Sequence, residues 1–252
     1  MSEWFTNESF WKEVYNFLFP EKLFIETHEH VESILKLVDF NGSSILDLCC
    51  GPGRCSLVLA KKGFSVTGVD LSPFLLDKAK ERAKSEGLSV EWILEDMRRF
   101  IRPVSYDLVL NMFTSFGYFD DKKDDLHVLE NVLTNLKPGG IFLIDVMGKE
   151  RLAKIFQPTI SDVLGDGTMV VQRSEIFDDW TRIKSEWVII KGSQAKTFTL
   201  HHTIYSGQEL KDRMEQVGFE SIKLYGDLDG SPYDSDAQRL IITGLKPSEK
   251  VL

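Results

Sequence analysis

Residues Ile45 to Arg54 read ILDLCCGPGR, which is the most informative motif of this chain. An apolar strand runs into a turn, with an acid, Asp47, ahead of two glycines, Gly51 and Gly53. Glycines let the backbone pass close to a ligand where a side chain would collide. The N–H groups that open the following helix also attract negative charge. The stretch therefore predicts a strand–turn–helix unit that holds a ligand at the carboxyl end of its strand.

The elements on both sides of this turn alternate between short apolar strands and helices. A repeated strand–helix order with short connections is typical of a parallel sheet covered on both faces. Ser72 followed by Pro73 predicts the start of a helix after the second strand. Together with a closing helix capped by Ser206 and two late strands, the pattern predicts an α/β fold with a Rossmann-like, doubly wound, seven-stranded sheet. The predicted strands of this sheet are 43–48, 64–69, 89–94, 106–111, 141–146, 219–225 and 239–244.

Two further segments lie outside the alternating pattern. Residues 9–39 are typical of two helices, broken near Phe19 and Pro20. Three stretches, 168–177, 180–190 and 196–204, alternate between apolar and polar residues, as half-exposed antiparallel strands do. The sequence thus predicts N-terminal helices and an inserted antiparallel β subdomain. The predicted division of the chain is 1–39 (N-terminal helical lid), 40–150 (core), 151–204 (inserted β lid) and 205–252 (closing helix and strand pair).

Composition excludes several classes of protein. A net charge of −9 over 252 residues disfavours nucleic-acid binding, which depends on attraction to phosphate. No apolar run is long enough for a membrane span, and the N-terminus is not of the signal-peptide type, so we expect a cytoplasmic protein. Cys49, Cys50 and Cys55 are odd in number and clustered, without metal-ligand spacing. We expect them to be small packing residues, and we expect no metal.

The glycine turn itself has two interpretations. A nicotinamide or flavin site requires a third glycine, in the order G-x-G-x-x-G, which this stretch lacks. Asp47 would also repel a pyrophosphate, whereas it would attract a ligand that carries an ammonium group. A nicotinamide-dependent oxidoreductase is therefore the less favoured interpretation.

At this point the sequence resembles the class I S-adenosylmethionine-dependent methyltransferases, of the bacterial, small-molecule type. Their usual turn is D/E-x-G-x-G-x-G, and Cys49 stands where the first glycine is usual. The stretches VTGVDLS, LEDM, YDLVLNMFTSFGYF and LKPGGIFLIDV follow in the family's order, and the resemblance covers about 40–150 and 205–247. It implies these residues at the S-adenosylmethionine site: Asp47, Cys49, Gly51, Gly53, Arg54, Asp70, Leu71, Asp96, Met97, Asn111 and Phe113.

The family also implies a role for several of these side chains. Asp70 would accept both ribose hydroxyls, Asp96 and Met97 would meet the adenine, and Asn111 and Phe113 would form the floor near the methyl group. The implied reaction is methyl transfer (EC 2.1.1.-) by in-line displacement to a nitrogen or oxygen of a small molecule. The inserted strands would lie on the acceptor side of that site.

Several points stay open at this level. The candidates for a catalytic base are Tyr118, Asp145 and His201, and none is assigned; His28 and His30 are expected on a solvated helix face. The DNA-methylating members carry a [DN]-P-P-[YF] tetrad, where this chain has Asn111-Met112-Phe113-Thr114. A non-catalytic protein that binds S-adenosylmethionine or S-adenosylhomocysteine is the alternative function. The chain is expected to be a monomer or a homodimer.

Overall fold

The computed structural model describes residues 3–248, and it contains two separate β-sheets. Residues 1–2 and 249–252, the ends of two predicted segments, lie outside the described residues. The strands of the larger sheet are β1 (Ser44–Leu48), β2 (Ser65–Asp70), β3 (Glu91–Leu94), β4 (Tyr106–Asn111), β5 (Leu136–Val146), β10 (Glu220–Tyr225) and β11 (Leu240–Leu245). Those of the smaller sheet are β6 (Thr159–Val163), β7 (Met169–Phe177), β8 (Arg182–Lys191) and β9 (Gln194–Thr203).

The larger sheet is the predicted doubly wound sheet of seven strands. Its order is β10-β11-β5-β4-β1-β2-β3, with β1 to β5 parallel to one another and β11 antiparallel to both β5 and β10. The chain leaves β1 toward β2 on one side and returns to β4 on the other. The order therefore reverses beside β1, and the glycine turn follows β1 at this switch point, where such sheets bind ligands.

The helices flank the sheet, and their ends follow the predicted capping signals. The Ser72 hydroxyl accepts from the Leu75 N–H with Pro73 in the first turn, and Ser206 and Glu209 form a reciprocal capping box. The helices are α1 (Glu8–Leu18), α2 (Glu21–Leu37), α3 (Arg54–Lys61), α4 (Pro73–Glu86), α5 (Lys122–Asn135), α6 (Lys149–Ile155) and α7 (Gly207–Val217). The predicted break at Phe19 and Pro20 separates α1 from α2.

Two of the differences from the predicted elements concern strands. First, β5 begins at Leu136 and not at 141 as predicted, because Leu136 pairs with Tyr106 before the register shifts. Second, the antiparallel sheet has four strands in the order β6-β7-β8-β9, where three were predicted. Every residue of β6 is exposed, so this edge strand lacks the alternation of burial on which a strand prediction rests.

The N-terminal segment lies between the two sheets. A short 3₁₀ helix, Trp4–Thr6, precedes α1, and the Trp4 indole donates to the carbonyl of His201 at 2.8 Å. Phe10 packs edge-on against Trp187 and Phe198 of the small sheet. The same segment belongs to one hydrophobic cluster with residues of the large sheet. Within residues 3–248, no helix is long and apolar enough to cross a membrane.

Candidate active site

The glycine turn is held in left-handed backbone conformation. Cys49, Gly51 and Gly53 have φ angles of 61°, 54° and 80°. A Cβ at Gly53 would lie 2.7 Å from the Trp92 ring, so this glycine permits close packing inside the protein. A Cβ at Gly51 would meet nothing nearer than Phe19 at 3.8 Å. Gly51 is therefore the position of the turn that leaves room for a ligand.

Asp70 ends β2 directly beside this turn. Its Oδ2 accepts from the Gly51 N–H at 2.8 Å, and its Oδ1 accepts from the Ser72 N–H at 2.9 Å. Burial raises the pKa of this carboxyl to about 6, against the effect of these backbone hydrogen bonds. Each carboxylate oxygen has a second lone pair, so Asp70 can still accept two hydroxyl groups.

Asp47 lies in β1, ahead of the glycine turn, and its hydrogen bonds go to the helix that follows. Its Oδ2 accepts from both the N–H and the hydroxyl of Ser56, at 3.1 and 2.6 Å, and it is buried. Burial raises its pKa to about 6. The carboxylate thus stabilises the first turn of α3. The sequence suggested that Asp47 attracts a ligand ammonium group. These contacts instead direct its carboxylate toward Ser56.

Asn111, at the end of β4, offers a hydrogen-bond acceptor for an ammonium group instead. Its amide Nδ2 donates to the Leu48 carbonyl at 3.1 Å, which fixes the side chain below the glycine turn. Its Oδ1 is buried and has no hydrogen-bond partner in the part of the chain that the structure describes. An unpaired buried carbonyl is costly. A ligand ammonium group would satisfy it.

The predicted adenine residues lie at the end of β3. Met97 is buried, and its sulfur accepts from the Cys49 thiol at 3.4 Å. Asp96 is engaged by Arg98, through the backbone N–H at 2.8 Å and the guanidinium Nε at 3.0 Å. These hydrogen bonds keep the pKa of Asp96 below its usual value despite burial. Arg98 also forms ion pairs with Glu3 and Asp124. Arg98 therefore links Asp96, the residue predicted to meet the adenine, to the N-terminal segment.

The N-terminal segment covers these residues. Trp4, Phe5, Phe10 and Val14 share a hydrophobic cluster with Met97, against which Cys49, Leu71 and Tyr118 also pack. A second link lies in α1, where Glu8 accepts from the Ser72 hydroxyl at 2.7 Å and from the Phe74 N–H at 3.1 Å.

The three candidate bases lie in different surroundings. Tyr118 is packed against Trp4 at 4.7 Å, and burial raises the pKa of its phenol above the ordinary range. Asp145, at the end of β5, is ion-paired with Arg239 and accepts from the Phe113 N–H at 3.0 Å. His201, on β9, has its Nε2 3.0 Å from the Asp120 carboxylate.

Two cavities adjoin His201. The smaller has a volume of about 200 Å³ and is lined mainly by the N-terminal segment and the loop after β4, including Trp4, Phe5, Tyr118 and Asp120. The larger, of about 1120 Å³, lies between the N-terminal segment and strands β7 to β9. Neither is lined by the glycine turn. Tyr118 lines the smaller cavity, and the charges of Cys49 and Asp70 act on its phenol, so that cavity lies beside the turn.

Phe113 is the centre of a cluster that the sequence did not predict as a unit. Arg54 and Arg239 approach its ring, with guanidinium carbons 4.0 and 5.1 Å from the centroid. His30 is also near, at 5.9 Å between ring centroids, and its Nδ1 is buried. The expectation of a solvated His30 is therefore wrong, whereas His28 is exposed. The sequence did contain a signal for the burial of His30, because position 30 lies three residues after buried Thr27 and four before buried Ile34.

Comparisons with known proteins agree with this geometry. Residues 45–140 match a family model described as a methyltransferase domain. Bacillus subtilis YqeM is 28% identical over 207 residues, which cover 80% of this chain and 83% of that protein. Residues 45–140 form a class I S-adenosylmethionine-dependent methyltransferase domain. Among solved structures, the CcbJ methyltransferase of Streptomyces caelestis has a TM-score of 0.78 at 17% identity, covering 88% and 90% of the two chains. CalS10 of Micromonospora echinaspora, solved with S-adenosylmethionine bound, has a TM-score of 0.69 at 20% identity, covering 92% and 96%.

The residues of this methyltransferase fit its cofactor, S-adenosylmethionine. Gly51 has room for a Cβ without a clash, Asp70 retains lone pairs for two hydroxyls, and Asn111 presents an unpaired buried acceptor. The individual assignments at the eleven predicted cofactor positions stay predictions. Of those positions, Asp47 and Arg54 make contacts that suggest other roles.

Proposed function

We propose that this methyltransferase transfers the methyl group to a nitrogen or oxygen of a small molecule that binds under the N-terminal segment. One observation carries the proposal: a cavity of about 200 Å³ adjoins the glycine turn and contains a histidine paired with a carboxylate. A protein that only bound the cofactor would not require such a pair. The same observation speaks against the non-catalytic alternative.

The chain's contribution is position, exclusion of water and removal of a proton. S-adenosylmethionine, when bound, supplies a methyl group on a sulfonium, which is already a good leaving group. Asp70, Asn111 and the glycine turn would hold and orient the cofactor, and such positioning can lower a barrier by ~7–11 kcal/mol. The aromatic side chains of the N-terminal segment would keep water from the reacting atoms.

His201 is the proposed general base among the three candidates. Its Nε2 contacts Asp120, which fixes the ring orientation, and its imidazole borders the small cavity. Tyr118 is a poor base because a phenol with a raised pKa remains protonated. Asp145 is committed to Arg239 and the Phe113 N–H. A positioned base contributes roughly 10²–10⁴-fold to a proton-transfer step.

The names of related proteins support a small acceptor. CalS10 is described as an amino pentose methyltransferase. A glycine/sarcosine N-methyltransferase of Halorhodospira halochloris is 25% identical over 207 residues, which cover 81% of this chain and 75% of that protein. We propose accordingly that residues 1–39 form a lid over the cofactor and that residues 151–204 form the acceptor side.

The test combines calorimetry and turnover. S-adenosylmethionine, S-adenosylhomocysteine and NAD are titrated into the protein, and release of S-adenosylhomocysteine is then followed with sets of small amines, alcohols and carboxylic acids. We expect the two adenosyl ligands to bind, NAD not to bind, and at least one acceptor set to support turnover. Binding without turnover on any acceptor would favour the non-catalytic alternative.

A further inference from the structure

Arg54 is a buried cation without an ionic partner. Among residues 3–248 it is the one lysine or arginine in the buried class, with 7% of its surface exposed. Its guanidinium donates to the Thr27 hydroxyl at 3.3 Å and lies over the ring of Phe113. No carboxylate of the described chain lies within ion-pair distance of it. Buried charges are normally paired, so this side chain points to an anion that comes from outside the chain.

The carboxylates whose charge reaches Arg54 are already committed to other groups. Asp47 is hydrogen-bonded to Ser56. Asp145 accepts from Arg239 Nε at 2.9 Å, from Arg239 Nη2 and from the Phe113 N–H. Asp47 and Asp145 both act on the charge of Arg54, but the hydrogen bonds of their carboxylates go to other groups, and Arg54 has no direct ionic partner in the described structure.

The surrounding groups could also bind an anion. His30 contributes a ring nitrogen, Nδ1, that is buried and unpaired in the described structure. Arg54, Arg239 and His30 come from α3, the residue before β11 and α2, so three separate segments converge on the ring of Phe113. This convergence lies where β4 and β5 end, at the carboxyl edge of the sheet.

The backbone that presents Phe113 is strained. Phe113 and Thr114 have φ angles of 59° and 62°, in the left-handed region that favours glycine. Asp145 holds both, through its side chain to the Phe113 N–H and through its carbonyl to the Thr114 N–H at 2.9 Å. Strain of this kind persists where the surroundings fix it and is concentrated at ligand sites.

We infer that Arg54, Arg239 and His30 form a subsite for a carboxylate group of the methyl acceptor. This inference rests on the proposed function, and it adds the class of acceptor: a nucleophile that carries a carboxylate. Guanidinium groups bind carboxylates with paired, directional hydrogen bonds. The anion would lie beside Phe113 and would orient the acceptor toward the cofactor's methyl group.

The experiment measures anion binding without turnover. The protein is saturated with S-adenosylhomocysteine, and its thermal midpoint is followed with millimolar acetate, benzoate, phenylacetate and hippurate, with the matching neutral amides, and with inorganic phosphate. The variants are Arg54→Gln, Arg54→Lys and His30→Phe, which keeps an aromatic ring against Phe113. Arg173→Gln, at an exposed arginine of β7, is the matched control.

We expect at least one carboxylate, and none of the amides, to raise the midpoint of the wild-type complex. Arg54→Gln should abolish that rise, His30→Phe should reduce it, Arg54→Lys should retain part of it, and Arg173→Gln should leave it unchanged. His30→Phe keeps the test decisive if Arg54→Gln does not fold. No rise with any carboxylate, a rise with phosphate alone, or equal rises with the amides would overturn the inference.

A further arm excludes the carboxylate of the cofactor itself. S-adenosylhomocysteine contains an amino-acid carboxylate, whereas 5′-methylthioadenosine does not. We expect Arg54→Gln to change the affinities for S-adenosylhomocysteine and 5′-methylthioadenosine by the same factor. A loss confined to S-adenosylhomocysteine would assign Arg54 to the cofactor and overturn the acceptor subsite. If carboxylates bind as expected but no acceptor is methylated, the subsite stands and the proposed catalysis fails.

Discussion

The Asp70 carboxylate accepts a hydrogen bond from the Gly51 N–H at 2.8 Å, so the end of β2 and the glycine turn after β1 form one unit. We predict that Asp70→Asn weakens S-adenosylhomocysteine binding at least tenfold at neutral pH. Loss of a charge-assisted hydrogen bond costs ~1.5–3 kcal/mol. Calorimetric titration measures this, with exposed Asp212→Asn on α7 as the control. An unchanged affinity would contradict the ribose assignment.

The pKa of Asp70 predicts that binding depends on pH. Burial raises this pKa to about 6, so the carboxylate takes up a proton as the pH falls from 7 to 5, whereas an exposed aspartate stays ionised. Affinity for S-adenosylhomocysteine should therefore decrease over this range. The pKa of Asp47 is also raised to about 6. Titration of Asp70→Asn separates the two: a flat profile assigns the effect to Asp70, and a persistent slope assigns it to Asp47.

Protonation of Asp70 and Asp47 affects binding and folding in opposite directions: it weakens cofactor binding but favours the folded state. Because their pKa values are higher in the folded chain than in the unfolded one, the folded state binds more protons between about pH 6 and 4. Their contribution to the free energy of unfolding therefore rises as the pH falls through this window. Weaker binding at pH 5 would thus not come from unfolding caused by these groups.

The two glycines of the turn should respond differently to substitution. Gly51→Ala places a methyl group in ordinary van der Waals contact with Phe19, 3.8 Å away, at a φ of 54°, which costs ~1–2 kcal/mol of stability but leaves the packing intact. We expect a folded protein with strongly reduced cofactor affinity. Gly53→Ala adds a clash with Trp92 at 2.7 Å, and overpacking costs a further ~1–3 kcal/mol. Chemical denaturation and calorimetry on both variants would show the difference; equal stabilities would contradict it.

The sequence predicted the large sheet well because its strands and turns are specified locally. The caps at Ser72 and Ser206 and the end of α1 near Pro20 all agree with the structure. The exposed edge strand β6 was missed, since no face of it is buried. The cluster of Arg54, His30 and Arg239 was also missed as a unit. Its members lie far apart in the chain, and only the crossing of α2 over the sheet edge brings them together.

The family resemblance located the site but did not fix what each side chain contacts. Asp47 and Asp96 were both predicted from position in a motif. In the structure, the Asp47 carboxylate accepts a hydrogen bond from Ser56 of the next helix, and the Asp96 carboxylate accepts one from Arg98, two residues later. A motif specifies where a strand ends, whereas hydrogen-bond partners depend on neighbouring elements and local backbone conformation, which spacing does not encode.

Cys49 replaces the first glycine of the usual turn, and its φ of 61° still has the value that favours glycine. We predict that Cys49→Gly changes the free energy of unfolding by less than about 1 kcal/mol, because relief of backbone strain offsets the lost contact with Met97. Cys49→Val should be clearly destabilising, since a β-branched residue tolerates this conformation poorly. Urea denaturation of the two variants tests this, and a stable Cys49→Val protein would contradict it.

Arg98 links the predicted adenine residue Asp96 to the N-terminal segment, and this link predicts how the cofactor leaves. Its guanidinium contacts Glu3 at 2.6 Å, while Asp124 lies at 3.3 Å. We predict that Glu3→Gln accelerates release of S-adenosylhomocysteine by up to about fivefold, because a partly exposed ion pair contributes ~0.2–1 kcal/mol. Added salt should accelerate release from the wild type by screening the same pair, and it should have less effect on Glu3→Gln. Stopped-flow displacement, followed by tryptophan fluorescence, measures these rates.

The control is Glu186→Gln, which breaks an exposed ion pair with Arg173 on the small sheet. If Glu3→Gln and Glu186→Gln release the ligand at the same rate, the N-terminal segment does not close over the cofactor through Arg98.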